Sequence, residues 1–101
     1  MTKRFHNEVY KITFIFEINN RTSEEGSCYE DLEGIRIVIA PDETVGALAH
    51  EAVHAIDMLF DDRGIEREPL SEPYAYMVEW LVNKMFPIFY KHSKIYGKEK
   101  S

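Results

Sequence analysis

The hydrophobic pattern of this chain changes period once, at Pro41. Before it, "EVYKITFIFEI" (8–18) alternates. Tyr10, Ile12, Phe14, Phe16 and Ile18 fall on one face, and Lys11, Thr13 and Glu17 on the other. A period of two in aromatic and β-branched residues predicts a strand with one strongly buried face. "SCYED" (27–31) and "IRIVIA" (35–40) predict two more, the first of them short. Pro41 ends the last, because proline cannot donate to a ladder. "NNRTSEEGS" (19–27) is polar and turn-forming and reads as a connection. After Pro41 the period is helical. Val45, Leu48, Ala49, Ala52, Ala55, Ile56, Leu59 and Phe60 make a broad apolar stripe, with Asp42 or Thr44 as N-cap and Gly64 as the stop. A second helix follows "IEREPL", with Ser71 as its cap and Pro73 in its first turn. Its core stripe is Ala75, Val78, Leu81, Val82 and Met85, and Pro87 should kink or end it. The charged tail adds at most a further turn before fraying. The expected fold is α+β: a small, mostly antiparallel sheet of about three strands packed on the first helix, then a second helix. No repeat or boundary divides residues 1–101, so a single domain is expected.

Composition narrows the functions. The formal net charge is −6, which argues against a nucleic-acid or anionic-membrane partner, since both need a basic face. Apolar runs are only a few residues long, too short to span a bilayer. "MTKRFHNEVYK" has no apolar stretch behind its basic residues, so no signal peptide is expected. Cys28 is the single cysteine, which excludes an intramolecular disulfide and a cysteine-based zinc site and makes a reducing, cytoplasmic setting the default.

The first helix carries "HEAVH". His50 and His54 lie one turn apart on one face and can aim both imidazoles at a common ion. Zinc accepts such nitrogens at ~2.0–2.1 Å. Glu51 is turned by about 100° from His50, so it does not ligate the same ion but reaches a water beside it. That is the placement of a general base acting on metal-activated water. The bland alternative is a polar helix face. It does not explain why histidines, rather than any polar residue, stand beside Asp57 and Asp61 opposite the apolar stripe. A catalytic zinc needs a third protein ligand. Glu72 is favoured, at the turn of the second helix nearest the connection. Glu79, about two turns on, shares its face with Tyr76 and Asn83 and is the rival; otherwise it supports the site from behind. Glu66 and Glu68 read as solvated loop residues. Cys28 reads first as a half-buried small side chain, and more rarely as a thiolate that holds zinc's open position.

"HEAVHAID" followed by "EPYAYMVEW" resembles the gluzincin zinc metallopeptidases, above all the single-domain minigluzincins and the short HExxH peptidases of phages and prophages. The likeness covers roughly residues 26–83. It implies a zinc-dependent peptidase with Zn²⁺ held by His50, His54 and Glu72, and Glu51 as general base and acid. It also implies an edge strand, here about 27–31, that binds an extended peptide or protein substrate through main-chain hydrogen bonds. Two departures stand out. Larger gluzincins often place an aspartate where this chain has Tyr76, so Asp57 is expected to orient the histidines instead. They also carry an oxyanion donor in a further lobe, for which Tyr74, Tyr76, Tyr90 and His92 are the candidates here. A latent zinc-binding regulatory or interaction module is the alternative expectation.

Overall fold

The computed structural model describes residues 1–20, 26–65 and 72–96. Four strands, β1 (Thr2–Asn7), β2 (Ile12–Ile18), β3 (Ser27–Asp31) and β4 (Gly34–Ile39), precede two helices, α1 (Val45–Asp62) and α2 (Glu72–His92). The strands form one mixed sheet in the order β1-β2-β4-β3. β1 pairs antiparallel with β2, and β3 antiparallel with β4. The two hairpins meet along a parallel seam that runs from Phe14 opposite Ile35 to Ile18 opposite Ile39. The α+β class is as expected, and the sheet is antiparallel except at that seam. The strand count is corrected from about three to four, because β1 has no alternating pattern of its own. It lies mostly exposed and gains its structure from β2.

β2 starts at Ile12 rather than Glu8. Asn7 Oδ1 accepts the Tyr10 N–H at 2.9 Å and Lys11 sits at φ 51°, so residues 8–11 form the hairpin turn. The central strands are buried on both faces. Phe14, Phe16, Ile35, Ile37 and Ile39 meet the helices, while Ile15 and Val38 are buried on the other side. There Arg36 stands opposite Ile15 in the ladder. Its stem covers apolar surface, and its guanidinium meets Asp31 at 2.9 Å and Glu17 at 3.2 Å. The Asp31 carboxyl is held below its ordinary range, first by the Arg36 hydrogen bond and then by the Glu33 amide.

α1 lies over β4 and β3, and α2 over β2. Thr44, not Asp42, caps α1, its Oγ1 accepting the Ala47 N–H at 3.2 Å. At the far end Ile65 N–H donates to the Phe60 carbonyl and Gly64 N–H to that of Asp61, with Gly64 at φ 65°. This is the paired-carbonyl stop that glycine allows. Ser71, the expected cap of α2, lies outside the described residues, as do Glu66, Glu68 and the tail from Gly97. Pro87 does not end α2, which runs on to His92. Pro87 is exposed, and the buried Met85 and Phe89 on either side hold the helix to the core. Beyond it Tyr96 folds back, its hydroxyl accepting the Val45 N–H at 3.1 Å. Among the described residues no helix is long and apolar enough to cross a membrane.

Candidate metal centre

α1 has three working flanks. Its apolar stripe faces the sheet. Asp57 and Phe60 face α2, where Tyr74 donates its hydroxyl proton to Asp57 Oδ1 at 2.8 Å and sets its ring edge-on to Phe60. Glu51 and Met58 face β3, where the Cys28 thiol lies 3.7 Å from Met58 Sδ. The crest between the last two carries His50 and His54, both exposed.

On that crest the two Nε2 atoms are 3.0 Å apart and the rings meet edge to face, 76° between planes. Two nitrogens sharing a tetrahedral zinc stand roughly 3.3–3.4 Å apart, so a few degrees of ring rotation admit an ion. A Glu51 oxygen completes a group whose ligand atoms all lie within 4.8 Å of one another. Glu51 is otherwise unlike the histidines. It is 7% exposed, and its Oε2 has no hydrogen-bond partner among the described residues. Buried carboxylate oxygens are normally satisfied; the Glu51 side chain lines a cleft of about 80 Å³ together with Gly26, Ala47 and His50. Gly26, at φ 154°, brings the start of the edge strand over that carboxylate. A Cβ there would meet Ile39 Cδ1 at 3.0 Å, the Val38 carbonyl at 3.2 Å and Glu51 Cγ at 3.3 Å. The group of His50, Glu51 and His54 could hold a metal ion.

The remaining expected residues are placed elsewhere. Asp57 is engaged by Tyr74, not by a histidine. Glu72, Tyr76 and Glu79 are exposed, and none joins the cluster. The reason is the rotation of α2. Tyr74, Met77, Leu81, Met85 and Phe89 are buried. At about 100° per residue, Glu72, Tyr76, Glu79 and Asn83 all fall more than about 120° from the centre of that face. The core stripe expected from Ala75, Val78 and Val82 is off by about 40° on the same wheel. Of the oxyanion candidates, Tyr74 is tied to Asp57, Tyr76 points outward, Tyr90 stacks on Phe86, and His92 lies beside Met1 and Pro41. Burial first, and Glu51 second, push the Cys28 thiol up to about 12, so it stands as a neutral thiol rather than a ready thiolate. Sequence reasoning passed over Gly26 and the Tyr74–Asp57 bond. A glycine directly before a short strand was the available signal for the first, and nothing local signals the second.

Comparison with protein-family models, curated proteins and solved structures finds no match to this chain. The functional reading therefore rests on the site itself.

Proposed function

We propose that this chain is a zinc-dependent peptidase of gluzincin-like type. The observation that supports it most is the pairing of two convergent, exposed imidazoles with a buried carboxylate oxygen that has no partner. A folded chain of ordinary stability gains nothing from such an oxygen, and unsatisfied groups of this kind collect where chemistry is done. His50 and His54 would hold the ion through their convergent imidazoles. When bound, Zn²⁺ supplies a Lewis acid that polarises a carbonyl and lowers the pKa of water. Glu51, which lines the cleft, accepts a proton from the attacking water and returns it to the leaving amine. Gly26 and the walls of the cleft limit access to that carboxylate. β3 pairs with β4 on one side only among the described residues, and its outer edge offers main-chain groups to an extended peptide.

Glu72 is the proposed third ligand. As the first residue of α2 it is held less firmly than the turns behind it. It faces away from the imidazoles, so bringing it to the ion is a step separate from capture by the histidines. A second reading, a metal-binding module without turnover, is favoured by that same outward placement. The test is metal analysis beside a peptide-library assay. His50→Ala and His54→Ala should each abolish stoichiometric zinc, and Glu72→Ala should weaken binding more than Glu79→Ala. Glu51→Gln should keep zinc and lose cleavage. Wild-type protein that binds zinc and cleaves no library peptide favours the module, and loss of neither metal nor cleavage in the histidine variants refutes both readings.

A further inference from the structure

The stripe of α2 that turns away from the histidines is not left on open surface. Tyr76, Glu79 and Trp80 form one wall of a groove of about 620 Å³, and the β1–β2 turn, with Glu8 and Val9, forms the other. Two features of this groove are unusual. Large apolar side chains stand open at its lips, Val9 at 81% exposure and Tyr76 at 64%, with Met77 buried beneath. Each wall also contributes a carboxylate, and no cation is paired with Glu79 among the described residues. Glu8 has only the His6 ring, at 3.8 Å. Trp80 already carries one cation, Lys84 Nζ at 6.0 Å from the ring, so the carboxylates are the groups left to receive another.

We propose that this groove binds a lysine or arginine side chain of a peptide partner. An apolar stem ending in a cation matches an apolar floor between two carboxylates, since long basic side chains bury their stems and keep their heads polar. The charge of the whole chain, −6, favours the same partner at long range. A neutral apolar ligand gains nothing from the two carboxylates, and an anionic one is repelled. The site is separate from the metal centre, and the inference uses none of the metal chemistry.

Trp80 is the only tryptophan and lines the groove, so its emission responds to a ligand bound there. The probes are acetyl-Gly-Lys-Gly-amide, its norleucine counterpart, which keeps the stem without the charge, and its glutamate counterpart. Titrated at about pH 8, the lysine peptide should give a saturable change that weakens in high salt. The other two should give none. Glu79→Gln and Glu8→Gln, both at exposed positions, should each weaken binding about two- to fivefold, the range for solvent-exposed ion pairs. His50→Ala should titrate like the wild type. An equal response to norleucine, no saturation with lysine, or wild-type titrations for both glutamine variants overturns the proposal. A lysine response lost in His50→Ala also overturns it, since the ligand would then sit at the metal centre.

Discussion

Replacing Glu51 with methionine should make the metal-free protein more stable. Glu51 is 7% exposed, its Oε2 has no partner, and Gly26 packs its backbone over the side chain. A buried acceptor left unsatisfied costs about 1–3 kcal/mol. Methionine keeps the length and helix propensity of glutamate and removes that cost. The expected gain is therefore about 1–3 kcal/mol, and a domain of this size shifts in Tm by roughly 4–8 °C for each kcal/mol. Urea and thermal unfolding in the presence of a chelator measure it. A second readout is local. Glu51 is the smaller of two causes that push the Cys28 thiol up to about 12, so alkylation of Cys28 should set in at lower pH in the variant. A carboxylate kept for the fold gives the opposite outcome. If Glu51→Met costs more than about 1 kcal/mol, an amount typical of losing a made hydrogen bond, the oxygen has a partner in solution and the reasoning from an unsatisfied acceptor fails. A gain matches the usual conflict between stability and function at reactive sites.

Tyr74→Phe removes the 2.8 Å bond to Asp57, a charge-assisted bond at a partly buried carboxylate, and should cost about 1–2 kcal/mol in urea unfolding. In a double-mutant cycle with Asp57→Ala the losses should be non-additive, and additive losses mean that the two side chains do not interact. Burial, and after it Glu51, push the Cys28 thiol from an ordinary value of 9.0 up to about 12 in the folded chain. Folding therefore favours its protonated form. That contribution is full below about 9 and is lost as pH rises between the two values, where the unfolded chain releases its proton first. Cys28→Ala should fall less steeply in stability than the wild type above about pH 9, and parallel profiles refute the shift.

The histidine helix was legible because its signals agree. Thr44, the apolar stripe, Gly64 and the HExxH spacing all specify one helix with one rotation, and α1 follows them except that Val45 and Ala49 of the expected stripe are exposed. α2 was legible as a helix but not in its rotation. Apolar residues come in adjacent pairs there, Tyr74 with Ala75 and Met77 with Val78, so periodicity admits two stripes about 40° apart. Tertiary packing chooses the larger members, because Tyr74 meets Phe60 and Met77 fills the core below the Asn7 amide. That choice is what turns Glu72 outward. β1 was hidden for a different reason. "TKRFHN" has no buried face of its own, and only pairing with β2 makes it a strand. Burial of Ile15 was also unreadable, since alternation marks one face and the second is covered by the stem of a charged residue, Arg36.

Pro87 has a consequence for the outer face of α2. Proline lacks an amide proton, so the Asn83 carbonyl loses the partner that a continuous helix would aim at it. Asn83 lines the same groove as Glu79. The helix thus leaves that main-chain oxygen without its usual donor, a partial negative charge that does not titrate and that no change of side chain at position 83 removes. A side chain at 79 can drift to alanine and back over generations, but this dipole persists for as long as the proline does.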